Sequence, residues 1–221
     1  MPREVLAFDV NETLLDLRAL DAPFTAAFGD ASLRPVWFQT MLQIAFVGGV
    51  TGEYIDFSSA QEAALSLIAG RVGKKLDAQQ TEAILGGMRR LPAHQEVTSA
   101  LRTLKDAGFR QVTLTNSPLG VVRAQLEYAG LADLFDDVLS ADEVRRLKPA
   151  AAAYQLVGDR LGVPLTEVRL VAAHAWDVAG ALAAGCKAAF VARPGAALYP
   201  SSPRPDIIGP DLTTIAQQLL A

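Results

Sequence analysis

The sequence predicts an α/β fold: a three-layer sandwich around a parallel sheet, carrying an inserted block of helices. Three observations predict it. Residues 5–8, 111–115, 168–173 and 187–191 are short apolar runs of strand length. They alternate with amphipathic segments that end at glycine, which implies right-handed crossovers between parallel strands. Residues 16–91 carry helical patterning only, so they read as an insertion after the first strand.

The elements follow in order. Residues 5–8 form a strand buried on both faces, ending at Asp9. Helices are expected over 20–28, 33–47, 57–72 and 78–88, with Gly48-Gly49 and the run 70–73 as breaks. Pro92 marks the return to the sheet domain. Val97, Leu101 and Leu104 stand at i, i+4 and i+7, giving an amphipathic helix that stops at Gly108. A strand over 112–115 follows. Pro118 opens a helix that Gly130 closes. Residues 131–139 bring the chain back through Phe135. A helix over 150–161 ends at Gly162, a strand over 168–173 follows, and a helix over 176–184 ends at Gly185. Residues 187–191 form the last main strand, 194–205 a Pro/Ser-rich surface loop, Ile207-Ile208 an edge strand and 212–220 a closing helix. The domain reading is 1–15 with 92–221 for the sheet domain and 16–91 for a helical cap.

Composition narrows the class. The chain has 221 residues, 51% hydrophobic and 20% charged, which is enough apolar material for one good core and a modest insert. A net charge of −4 without a basic tract argues against a nucleic-acid or anionic-membrane partner. The single Cys186 has no internal partner and reads as a small core filler, which points to a reducing compartment. No apolar run approaches the roughly 18 residues of a membrane span, and the first strand begins too early to leave room for a signal peptide. A cytoplasmic protein is expected. Dimerisation is compatible with the apolar helical block.

The chemistry gathers at strand ends, where ligands sit in open α/β sheets. Asp9 and Thr13 follow the first strand, Thr115-Asn116-Ser117 the second, and His174-Ala175-Trp176-Asp177 the third apolar run. Lys148-Pro149 precedes a helix carrying Tyr154. This series resembles the haloacid dehalogenase superfamily, in detail its L-2-haloacid dehalogenase branch, over nearly the whole chain. The resemblance implies a Rossmann-like core, a helical cap that closes the site, and hydrolytic conversion of (S)-2-haloacids to (R)-2-hydroxyacids without cofactor or metal.

In that reading Asp9 is the nucleophile, and Lys148 keeps it ionised through opposite charge. Thr13 and Thr115 donate hydroxyl hydrogen bonds to Asp9 or the substrate. Asn116, with backbone N–H groups nearby and Asn11, holds the substrate carboxylate or the leaving halide. Tyr154 directs its phenol at the site, Trp176 is a pocket wall, and Asp177 orients Lys148 or caps its own helix. The pattern departs from the branch in three places, one of them Ala172 where the branch has a serine. Phe38 stands where many of these enzymes have a halide-binding arginine, which leaves ring edges, Asn116 or Arg18 to meet the halide. His174 stands where the branch has asparagine, and with Glu12 it makes a candidate general-base dyad for hydrolysing an Asp9 ester. His94 reads as structural.

A Mg²⁺-dependent phosphatase acting on a small phosphate ester is the rival within the superfamily. It would use an acid two residues after the nucleophile and another at the third strand end, where this chain has Asn11 and Ala172. A catalytically inactive binding module would not require Asp9, Thr13, Lys148 and Asp177 together.

Overall fold

The computed structural model describes residues 4–221; residues 1–3, where the expected first domain segment begins, lie outside this range. The expected α/β class is present. Strands β1 (Val5–Phe8), β2 (Arg110–Thr115), β3 (Asp137–Ser140), β4 (Val168–Ala172), β5 (Lys187–Val191) and β6 (Ile207–Gly209) form one parallel sheet in the order β3-β2-β1-β4-β5-β6. The order reverses direction between β1 and β4, which places a crevice at the carboxyl ends of the central strands.

Alternation along β1 divides the core in two. Leu6 and Phe8 face one hydrophobic cluster with Val97, Leu101 and Leu104 of α5 (Val97–Asp106), Val122 and Leu126 of α6 (Leu119–Tyr128), and Ile215 of α9 (Leu212–Leu220). Val5 and Ala7 face the other cluster, with Tyr154 and Val157 of α7 (Ala151–Leu161) and Val178 and Ala181 of α8 (Ala175–Ala184). Glycines in the left-handed region end or follow these helices, as at Gly108 (φ 86°), Gly162 (φ 67°) and Gly185 (φ 96°).

Between β1 and α5 the chain builds α1 (Asp21–Phe28), α2 (Leu33–Thr51), α3 (Phe57–Arg71) and α4 (Ala78–Leu85). It enters and leaves this helical segment side by side: Leu15 bridges Ala93, and the Asp16 amide donates to the Pro92 carbonyl at 2.8 Å. Trp37 is fully buried, with its indole N–H on the Gln61 carbonyl at 3.0 Å, and so locks α2 to α3. Two expectations need correction. Helix α2 does not break at Gly48-Gly49 but runs to Thr51 and stops at Gly52 (φ 83°). Gly48 serves close approach instead: a Cβ there would lie 2.6 Å from the Glu53 carbonyl oxygen. Residues 137–140 form an edge strand that the sequence pattern did not separate from the returning chain.

Candidate active site

Asp9 leaves the end of β1 and is buried. Its Oδ1 accepts a hydrogen bond from Lys148 Nζ at 2.9 Å, and its Oδ2 accepts from Thr13 Oγ1 at 2.6 Å. Thr13 Oγ1 in turn accepts the Ala173 amide at 2.9 Å, which joins the loop after β1 to the end of β4. Lys148 uses all three ammonium protons, on Asp9, on Asp177 Oδ2 at 2.6 Å and on the Leu114 carbonyl at 2.7 Å. Tyr154 donates to Asp177 Oδ1 at 2.7 Å. Gly180 makes room for this on α8, since a Cβ there would meet both the Tyr154 hydroxyl and Pro149 within 3 Å. Asp177 therefore orients Lys148; the capping position of α8 belongs to His174, whose side chain does not cap.

His174 completes the arrangement. Its Nδ1 lies 3.2 Å from Asp9 Oδ2 and its Nε2 lies 2.9 Å from Glu12 Oε2. Glu12 reaches it from a left-handed backbone conformation (φ 61°), unusual for a residue with a side chain and here the conformation that precedes the Thr13 contact. The ring stacks with both Phe38 (centroids 5.8 Å apart, 21° between planes) and Trp176 (5.4 Å, 25°). The Trp176 indole N–H is a buried donor with no protein partner among the described residues.

The electrostatics follow from this packing. Burial opposes ionisation of Asp9, but the Lys148 charge, the His174 hydrogen bond and charge, and the Thr13 hydrogen bond outweigh it and hold the carboxyl far below its usual range. Burial also opposes a charged imidazole. The hydrogen bonds and charges of Asp9 and Glu12 overcome it and push His174 up to about 10. At neutral pH the site therefore holds an imidazolium between two carboxylates. Asp177 is pushed up by burial and by the Asp9 charge, against the pull of Lys148. Lys148 is raised despite burial, because it lies between Asp177 and Asp9.

Several predicted residues have other duties. Arg18 does not point under the helical segment; its exposed guanidinium pairs with Asp16 at 2.7 Å. The Asn116 amide donates to the Lys148 carbonyl at 3.1 Å and its oxygen accepts the Lys148 amide at 2.7 Å, so it fixes the Lys148 loop. Asn11 is tied to Ser117 Oγ at 3.1 Å and to Gln125 Nε2 at 3.0 Å, binding the first two strand-end loops together. Thr115 accepts the Ser117 amide at 3.2 Å within its own turn. Phe38 presents its face to His174. His94 lies 3.2 Å from the Glu12 backbone carbonyl, in keeping with a structural part.

Sequence reasoning missed Arg34. One turn before Phe38 on α2, it pairs with Asp21 at 2.6 Å and approaches Glu12 at 3.7 Å, the helical segment's ionic contact with the His174 partner. The same segment meets the sheet domain again where the Tyr54 hydroxyl bonds Asp142 and Arg145 lies 4.3 Å from the centre of the Tyr54 ring. Outside the ring stack opens a cleft of about 690 Å³ whose lining includes Glu12, Phe38, His174 and Trp176. Among the described residues no group of three or more His, Cys, Asp or Glu side chains is arranged to hold a metal ion, and no helix is long and apolar enough to cross a membrane.

Comparison with known proteins gives a consistent relationship. The family model of the haloacid dehalogenase-like hydrolases matches residues 4–185. An (S)-2-haloacid dehalogenase of Pseudomonas sp. (strain YL) is 30% identical over 91% of this chain and 88% of its own. One from Xanthobacter autotrophicus is 31% identical over 86% and 75%. The structure of the L-2-haloacid dehalogenase from Xanthobacter autotrophicus with chloropropionic acid covalently bound superposes with a TM-score of 0.91, at 27% identity and 99% coverage of both chains.

Proposed function

The chain belongs to the haloacid dehalogenase-like hydrolases, and from that premise we propose a hydrolytic dehalogenase that converts (S)-2-haloacids to (R)-2-hydroxyacids through an ester on Asp9. The observation that carries the reading is the buried, ionised Asp9 held between Lys148 and His174. A carboxylate is a weak nucleophile in water; held in line and desolvated, it can displace halide from a carbon beside a carboxylate. The (S) substrate is that of the relatives' names, and the (R) product follows from inversion at C2 when Asp9 displaces halide in line.

In the first step an Asp9 oxygen forms a bond to C2 while the C–halogen pair leaves as halide. The unpartnered Trp176 indole N–H is the donor we assign to the departing halide, in the absence of an arginine at Phe38, while both His174 N–H groups face Asp9 and Glu12 and the imidazolium contributes only its charge. Asp9 is now a neutral ester, so His174 has lost one of the two charges that held its proton. That proton leaves to solvent with the halide. Glu12 retains the Nε2–H hydrogen bond, fixes the tautomer, and leaves the Nδ1 lone pair facing the ester. In the second step Nδ1 takes a proton from water as the water oxygen attacks the ester carbonyl. The tetrahedral adduct expels the hydroxyacid oxygen, which takes the second proton of the attacking water from the adduct hydroxyl, so the Asp9 carboxylate and His174 imidazolium are both restored.

Residues 16–91 serve in this scheme as the cap that excludes water during the first step. The lone buried thiol of Cys186 accords with a cytoplasmic setting.

Incubation with (S)-2-chloropropionate and with a panel of phosphate esters, each with and without Mg²⁺, tests the proposal. Halide release without added metal is expected, and in a single turnover in ¹⁸O-water the label should enter Asp9 rather than the product. Mg²⁺-dependent phosphate release without halide release would overturn the assignment.

A further inference from the structure

The cleft outside the ring stack is far larger than a two- or three-carbon haloacid needs. Phe38, Leu42, Phe46 and Val50 stand at i, i+4, i+8 and i+12 on α2, so they form one stripe along the helix about 18 Å long. All four line the cleft, with Val47 beside them and Tyr199 of the 194–205 loop also on its wall. The stripe opens to solvent along its length: Phe38 is 4% exposed, Leu42 8% and Val50 89%. Among the described residues the lining carries charge only at Glu12 and His174, beside Phe38, with Gln39, Gln43 and Thr51 as its uncharged polar members. An apolar surface running outward from a reacting centre is a ligand groove rather than a stray patch.

We propose that this groove binds the apolar tail of a medium-chain 2-haloalkanoate, with the carboxylate and halogen at the ring stack and the alkyl chain along Leu42, Phe46 and Val50. The proposal rests on the dehalogenase reading and names the substrate class that reading leaves open. Its occupant is argued from continuity: Phe38, which begins the stripe, packs on His174, and His174 lies 3.2 Å from Asp9 Oδ2, so the groove starts one side chain from the nucleophile.

The test is a chain-length series of (S)-2-bromoalkanoates, from propionate through hexanoate to decanoate, with halide release followed at each length. Burial of one methylene corresponds to about fourfold in affinity, so kcat/KM should climb by roughly that factor per carbon until the tail reaches the mouth at Val50, mainly through KM. Val50→Asp, at an exposed position that the fold does not depend on, should lower the decanoate-to-propionate ratio of kcat/KM by about tenfold or more. A kcat/KM that stays level or falls with chain length overturns the proposal while leaving the dehalogenase reading in place. No halide from any length, propionate included, sinks that reading and the proposal with it. A concentration-dependent dimer in light scattering that Val50→Asp dissociates, with no chain-length preference, would instead assign the stripe to a second copy of the chain.

Discussion

Replacing His174 by glutamine should convert the protein from a catalyst into one that stops at its own intermediate. The change removes the ring that lies 3.2 Å from Asp9 Oδ2 and 2.9 Å from Glu12 Oε2. Asp9 keeps Lys148 at 2.9 Å and Thr13 at 2.6 Å, so it stays ionised at neutral pH. For the first step two effects oppose each other: a contact that quietens the nucleophile in the ground state disappears, and a positive charge beside the reacting centre disappears with it. Their balance should change alkylation by about tenfold or less. The second step has no such compensation, because glutamine cannot take a proton from water, and loss of a positioned general base costs about 10²- to 10⁴-fold. Hydrolysis thus becomes the slow step. In rapid-quench experiments with 2-chloropropionate the variant should release one halide per active site in a burst and then nearly stop. Its intact mass should rise by that of the substrate less hydrogen halide, with the adduct on Asp9. Steady turnover within a few-fold of the parent would refute the assignment of His174 as base, and a slow reaction with neither burst nor adduct would show that the ring serves the first step instead.

Three further outcomes follow. Glu12→Gln keeps the shape but not the charge, so the ester-state imidazole should become less basic; the acid limb of the kcat–pH profile should move to lower pH and kcat should fall about tenfold or more, with KM little changed. Stability should depend on His174 in a defined window. Its folded value of about 10 lies above the ordinary 6.5, so its contribution is complete below pH 6.5 and is lost as pH rises through about 10; melting temperature should decline over that range in the parent, and the His174→Gln variant should lack this component. Lys148→Met leaves Asp9 and Asp177 buried without their shared cation, which should cost about 3–5 kcal/mol in denaturant unfolding and abolish the halide burst.

Much of the architecture was legible because it is enforced locally. Glycine is the residue that enters the left-handed region at little cost, so Gly108, Gly162 and Gly185 marked helix ends from sequence alone. The same rule misled at Gly48, where the missing Cβ answers a carbonyl of a later loop rather than a turn. β3 was obscured because it is four residues long at a sheet edge and begins with Asp137, whose carboxylate accepts the Val138 amide. At the site, Asp9, Lys148, Asp177 and Tyr154 could be named because their order along the chain is itself a pattern. Asn116 and Asn11 were given to the ligand because an amide after a strand looks available; the folded loops add contacts to Lys148, Ser117 and Gln125 that no local pattern shows. Arg34 left no local signal, since its partners Asp21 and Glu12 precede it by most of a helix and by a whole loop. The outward stripe from Phe38 to Val50 was not legible, because the helix was expected to stop before Gly48 and so left Val50 outside it.

The pairing of Phe38 with His174 has a physical logic of its own. An arginine at position 38 would set a permanent cation against an imidazolium, and each would lower the affinity of the other for its proton or its place. Phenylalanine instead gives the charged ring an aromatic face, and Trp176 stacks with the same ring. A fixed guanidinium can stabilise a departing halide but cannot accept a proton. An imidazolium can serve the first step as a cation and the second as a base, provided its proton leaves between them. Loss of the Asp9 charge on alkylation supplies that condition, so base strength at His174 is linked to the existence of the ester it must hydrolyse. The scheme therefore requires a proton to appear in solvent with the halide burst, before product forms, and a stopped-flow indicator trace in weak buffer that lagged behind the burst and followed hydroxyacid formation would break the link.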